Sequence, residues 1–299
     1  MTAKTILISG ASGLIGAELT TQLRAEGHAV LRLVRRSATA PDEREWDPRT
    51  GSVPADAIAD ADAVVNLSGA SLSRLPWTLA YKRTILQSRV GSTRALASAI
   101  AASPAPPAVF VSGSAVGYYG DRVGETLDER SPQGQGFLPR VVESWENATA
   151  PAAGVTRVVH ARTGLVIARG GALTPLMLLA RAGLAGPLGS GTQHWPWVSL
   201  YDEAAALRHL AIDSTLDGPV NIVGPSPATA ALITHSLADR LRRPYWLPAP
   251  RWAIVAALAD AGRELLLADQ DIRSKLADDG FTFRHATAEQ AIAAALPMR

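Results

Sequence analysis

The stretch ILISGASGLIGAEL, residues 6–19, carries an apolar strand straight into a helix through three glycines, Gly10, Gly13 and Gly16. Gly10 permits a tight turn, Gly13 lets backbone N–H groups approach a pyrophosphate, and Gly16 lets the helix lie close to the sheet with its positive end on the phosphates. A glycine triplet alone says little. Placed between a strand and a helix at the start of an alternating pattern, it predicts a dinucleotide site built from Gly10, Ala11, Ser12, Gly13, Leu14, Ile15 and Gly16.

Outward from this loop, further runs read as strands: 28–36, 61–69, 107–114 and 155–164, nearly continuous in Val, Ile and Leu. Such runs suit strands buried on both faces of a parallel sheet. Between them, residues 14–26, about 77–101 and about 137–150 repeat apolar positions at helical spacing, as crossover helices do. The fold class expected is α/β, a Rossmann-type doubly wound parallel sheet over residues 1–165. Glycine-rich loops, further helices and one more strand at 218–224 then predict a smaller C-terminal α/β substrate lobe over 166–299, with some elements crossing between lobes. Phe281 and Phe283 are expected to pin the terminal segment to the core.

Composition narrows the classes. Hydrophobic residues are 47% and charged residues 19% of 299, which suits a compact globular chain. Without cysteine, disulfides, thiolate catalysis and zinc–thiolate sites are excluded, and the chain fits the cytoplasm. The six histidines show no pair at ligand spacing, so no metal is expected. No run is long enough to span a bilayer and no leader pattern opens the chain. The basic residues are 26 Arg and 3 Lys against 27 acids, with no continuous basic stripe. Nucleic acid and membrane are therefore not expected as partners; a small-molecule substrate and a monomer or homodimer are.

The spacing G-x-x-G-x-x-G resembles the extended short-chain dehydrogenase/reductase superfamily. The stretches SGSAVGYYGD, VESWE, RTGLVIARGGAL, GPLGSGTQHWPWV and GFTFRHATAEQAI resemble, more narrowly, its NAD-dependent epimerase/dehydratase-like (YfcH-like, "epimerase family protein") group, which has a C-terminal domain of unknown function. The resemblance covers essentially the whole chain. It implies that the strand ending LVRR reads the adenosine ribose. An acid there would bind the 2′-hydroxyl, but Arg35 and Arg36 suit a 2′-phosphate, so NADP(H) is expected as cofactor. It also places Leu67, Ser68 and Gly69 by the adenine–ribose half, Arg89 on the helix lining the cofactor, and Leu165 and Val166 by the nicotinamide.

In that superfamily a tyrosine moves the proton and a lysine four residues on lowers its pKa, because a phenol is a poor base at neutral pH without a nearby cation. No Tyr-x-x-x-Lys occurs here; the pair aligns onto Leu138 and Val142. Ser112, Ser114, Tyr118 and Tyr119 remain. Ser114 matches the substrate-orienting serine, and a displaced acid is sought in Tyr118 or Tyr119, helped by Arg122 or Arg89. The alternative is that the two tyrosines only pack beneath the nicotinamide. Likewise Trp195 and Trp197 either stack on a ligand or close the core between lobes. The expected function is an NADP(H)-dependent oxidoreductase or epimerase-like enzyme on a small carbonyl or hydroxyl compound, nucleotide-sugar-like compounds included; the alternative is a non-catalytic NADP(H)-binding sensor.

Overall fold

A computed structural model describes residues 2–297. In chain order the first elements are β1 (Thr5–Ser9), α1 (Leu14–Ala25), β2 (Ala29–Val34), β3 (Glu43–Glu45), α2 (Ala55–Ala59), β4 (Ala63–Asn66), α3 (Leu79–Ala102) and β5 (Val109–Ala115). There follow β6 (Thr126–Leu127), α4 (Phe137–Asn147), β7 (Arg157–Thr163), β8 (Leu165–Ile167), α5 (Thr174–Arg181), β9 (Trp197–Ser199) and α6 (Leu200–Ile212). The last are β10 (Gly218–Ile222), α7 (Ala230–Arg240), α8 (Arg251–Leu265), β11 (Asp271–Ile272) and α9 (Ala288–Ala295).

Seven strands form one sheet in the order β10-β7-β5-β4-β1-β2-β3, every neighbouring pair parallel. Side chains of a strand alternate between faces, and the core divides accordingly. Ile6, Ile8, Val65, Val111 and Val159 face α1 and α6, while Leu7, Val64 and Phe110 face α2 and α3. The chain is thus the doubly wound α/β sheet that the apolar strands require.

The strand at 218–222 does not belong to a separate lobe. It closes the edge of the main sheet beside β7, and α6 packs on α1. Val220 and Ile222 are fully buried and extend the α1/α6 face of the core, which gives them more cover than a small lobe offers. The rest of the C-terminal half, with the short pair β8–β9 and helices α5, α7, α8 and α9, encloses its own cluster around Trp195, Trp197, Ile233, Leu237 and Ile292. Phe281 and Phe283 meet edge-to-face, ring centres 4.9 Å apart, against the α1/α6 core. Trp195 and Trp197 are buried, and the Trp197 ring lies over Gly224 so closely that a Cβ there would fall 2.6 Å from it. They close a core and offer no stacking platform.

Helix α8 bends sharply at Ala259, whose φ of 48° and ψ of −127° lie outside helical space. That region suits glycine and strains an alanine by about 1–3 kcal/mol. Ala259→Gly is therefore expected to raise thermal stability by about 2 °C, for a net gain near ~1 kcal/mol. A fall in the calorimetric Tm would contradict this.

Candidate functional site

The C-terminal ends of the parallel strands carry the residues singled out in the sequence, as in open α/β sheets generally. After β1, Gly10 turns with φ of +77°, and a Cβ there would lie 2.8 Å from the Leu67 carbonyl. A Cβ on Gly16 would lie 2.3 Å from the Gly10 carbonyl oxygen, so the first turn of α1 presses directly on the loop. Gly13 caps α1 without a side-chain hydrogen bond, and no acid stands in the first turn. Ser12, Gly13 and Leu14 are exposed at this end, with Ala11 and Gly16 buried beneath and Ile15 half-buried. An uncapped, acid-free helix start reached over glycine is a cradle for a diphosphate.

The two arginines after β2 differ. Arg36 grips Glu43 through both terminal nitrogens, at 2.8 and 2.6 Å, and that guanidinium holds the buried Glu43 carboxyl down at about 2. Arg36 is a strut between β2 and β3. Arg35 is exposed and has no hydrogen bond or ion pair among the described residues.

After β4, the Asn66 side chain joins Ser9, Ser68 and Thr93, and Thr93 also accepts from the Trp145 indole at 2.9 Å. This network fixes β1, β4, α3 and α4 around the loop, with Leu67 half-buried against the α1/α6 core. Gly69 backs onto Arg89, where a Cβ would lie 3.2 Å from the guanidinium carbon. Among the described residues Arg89 donates only to the Ala70 and Ile85 carbonyls, and it lies 5.1 Å from the Trp145 ring centre. Burial pushes it down to about 10. No carboxylate pairs with it among the described residues.

Around the SGSAVGYYG turn the structure supplies a cation that the sequence reading did not name. Ser114 donates to Glu146 Oε1 at 2.6 Å, and Arg162 clamps the same carboxylate with Nε at 2.8 Å and Nη2 at 2.9 Å. Arg162 Nη1 donates to the Tyr119 hydroxyl at 2.9 Å, which donates to Asn221 Oδ1 at 2.8 Å. Its guanidinium also lies over the Tyr118 ring, 3.6 Å from the centre. The expected helpers are elsewhere: Arg122 is half-buried and paired with Glu125, and Arg89 is turned to the Ala70 and Ile85 carbonyls. Ser112 is buried and bonds only to the Gly113 carbonyl among the described residues.

The two tyrosines separate in character. Tyr119 is fully buried with its hydroxyl spent, and burial raises its pKa although Arg162 opposes this. It stays a neutral phenol. Tyr118 is half-buried, and its hydroxyl has no hydrogen bond among the described residues. Leu138 and Val142, at the usual tyrosine and lysine positions, are both buried and apolar, and Leu138 packs against Gly117 of the turn. At the end of β7, Thr163 donates to Glu203 Oε1 at 2.7 Å. Glu203 is fully buried, its other oxygen has no partner among the described residues, and burial pushes its carboxyl up to about 8. Leu165 and Val166, beyond Thr163, are half-buried beside Pro196 and Trp197.

The model of the NAD dependent epimerase/dehydratase family matches residues 6–222, a span running from β1 to β10 and including every strand-end residue just described. The chain belongs to that family. Among its members, an epimerase family protein of Mycobacterium bovis, Mb2239, is 41% identical over 290 residues, covering 96% of each chain. The cattle epimerase family protein SDR39U1 is 37% identical over 267 residues, 88% of each. A crystal structure of human SDR39U1 with NADPH superposes with a TM-score of 0.89 at 31% identity, covering 98% of this chain and 100% of that one. A nucleoside-diphosphate sugar epimerase from Corynebacterium glutamicum superposes with a TM-score of 0.81 at 34% identity, covering 99% of this chain and 58% of that one. More distant epimerases, such as a UDP-glucose 4-epimerase of Thermotoga maritima at 14% identity, share the fold of this family member.

Proposed function

We propose that this chain binds NADP(H) and acts as an oxidoreductase or epimerase-like enzyme on a small hydroxyl or carbonyl compound. The observation that carries the cofactor reading is the pair of unmatched guanidiniums, Arg35 and Arg89, on either side of a glycine cradle with an uncapped helix start. In this reading the N–H groups of Ser12 and Leu14 hold the pyrophosphate, while the Gly13 N–H closes the turn onto the Gly10 carbonyl at 2.9 Å. Arg35 reads the 2′-phosphate, Arg89 a phosphate or ribose beside Gly69, and Leu165 and Val166 flank the nicotinamide. The human relative with NADPH supports the same choice. When bound, the nicotinamide gives or takes a hydride.

The proton side rests on Ser114 and Tyr118. Because Ser114 donates to Glu146, its lone pairs are left to accept from a substrate hydroxyl and so to orient it. Tyr118 is the phenol with a free hydroxyl. Arg162 over its ring face is the cation set beside that phenol, with its charge shared by Glu146. Tyr119 positions Arg162 and takes no proton.

One observation favours a second reading, a protein that binds NADP(H) and reports its state without turnover: Leu138 and Val142 put hydrocarbon where the proton relay usually stands. The experiment separating them is NADPH oxidation against a panel of carbonyl compounds and nucleotide sugars. Turnover that falls at least ~100-fold in Ser114→Ala or Tyr118→Phe, with NADPH affinity kept, supports the enzyme. Tight NADPH binding with no oxidation on any compound supports the sensor. For the cofactor, Arg35→Ala is expected to weaken NADPH by ~10–100-fold while leaving NADH unchanged, the loss of a charge-assisted contact to phosphate.

A further inference from the structure

The segment RRPYWLPAPRW, residues 242–252, contains three arginines, two tryptophans and no acid. All of its side chains are exposed except those of Tyr245 and Ala249. Trp246 is 63% and Trp252 74% exposed, although tryptophan is highly buried on average.

A second segment lies against it. Trp246 donates its indole N–H to the Gly183 carbonyl, the Trp246 and Leu247 N–H groups both reach the Ala185 carbonyl, and Leu188 bridges to Ala249. Beneath them, Ala180, Ala185 and Ala238 pack with Leu241 and Tyr245. The same elements turn Leu178, Leu179 and Leu184 outward. Two chain segments thus present one continuous apolar surface.

Its rim is positive. Arg169, Arg181, Arg242 and Arg243 border this surface or the cavity beside it, and none of the four forms an ion pair among the described residues, whereas Arg251 turns to a second cavity shared with Asp121, Asp260 and Glu264. Arg169 and Arg181 face a cavity of about 370 Å³ with Thr174, Met177 and Leu178, a cationic mouth over an apolar floor.

We infer that this face docks on an anionic phospholipid surface. Tryptophan takes the level between headgroup and acyl chain, leucines enter the apolar layer, and arginines stay at the phosphates along stems that lie on apolar surface. Neither signal suffices alone: the exposed leucines and tryptophans bring affinity, and the unpaired guanidiniums bring selection for negative lipid. An acidic protein segment would match the charge but leaves two bare indoles and three leucines without apolar cover. A second copy of this chain would cover the indoles but bring its own four arginines against these. No helix among the described residues is long and apolar enough to cross a membrane, and surface docking needs none. The absence of a spanning run, on which the expectation of no membrane partner rested, therefore says nothing against it.

The test is co-sedimentation of the full chain with vesicles of phosphatidylcholine alone and of phosphatidylcholine with about a third phosphatidylglycerol. Binding is expected on the anionic vesicles only, falling at least ~10-fold in Trp246→Ala/Trp252→Ala and in Arg242→Glu/Arg243→Glu, and falling with added salt. NADPH affinity stays unchanged in both variants, which shows that they are folded, and Trp252→Phe keeps most of the binding. No binding to anionic vesicles, equal binding to neutral ones, or a dimer in solution that the tryptophan variant splits would each overturn the proposal.

Discussion

Arg162→Ala is expected to cost about 3–5 kcal/mol of folding stability, because it leaves the Glu146 carboxylate buried without its cation. The cost is large since one guanidinium serves three groups at once: Glu146 through two hydrogen bonds, the Tyr119 hydroxyl through a third, and the Tyr118 ring through its face. Arg162→Lys keeps the charge but not the fork, and should recover only part of the loss. Arg162→Met with Glu146→Leu removes both charges and should be more stable than Arg162→Ala, although Ser114 and Tyr119 then each lose a partner. Urea unfolding of the three variants reads the ordering. A loss below ~1 kcal/mol in Arg162→Ala would mean that water reaches Glu146 and that the cluster is not the closed unit described.

The second large effect belongs to Glu203. Its carboxyl is raised by burial from an ordinary 4.5 to about 8. Below the ordinary value both folded and unfolded chains hold the proton, and stability does not vary on this account. Between about 4.5 and about 8 the folded chain keeps a proton that the unfolded chain has lost, so stability falls as pH rises, by up to ~1.4 kcal/mol per pH unit. Above about 8 the carboxylate is ionised in both states and the loss is complete. Glu203→Gln removes this slope and is expected to be the more stable form at pH 8, with the difference vanishing toward pH 5. Calorimetric Tm values from pH 5 to 9 for both proteins check this; parallel curves would contradict it.

The glycine loop, the strands of the sheet other than β3, and the crossover helices α1, α3 and α4 were legible because each depends on local spacing. The destination of 218–222 was not. Its apolar pattern identifies a strand, but only the free edge of β7 and the cover of α6 decide which sheet it joins. Arg35 and Arg36 read alike in sequence, and Glu43, arriving on β3 seven residues later, takes one of them. The tryptophans at 195 and 197 left two readings open, and close packing against Gly224 favours the core.

Arg162 was the residue that sequence reasoning missed. A signal was present: an arginine inside a strand expected to be buried on both faces must find an acid. The partner is Glu146, on a helix, and what brings the two together is the pairing of β7 with β5 beneath α4. The same adjacency sets Ser114 opposite Arg162 in register. It gives the tyrosine turn a cation from across the sheet in place of one from four residues along the chain.

The central claim is that a glycine cradle flanked by two unmatched arginines holds NADP(H), with Arg35 selecting it over NAD(H). Isothermal titration of the wild-type chain and of Arg35→Ala with NADPH and with NADH tests it most directly. The wild type should bind NADPH at least ~10-fold more tightly than NADH, and Arg35→Ala should lose that preference while its NADH affinity is unchanged. Equal affinity of the wild type for the two nucleotides would contradict the claim.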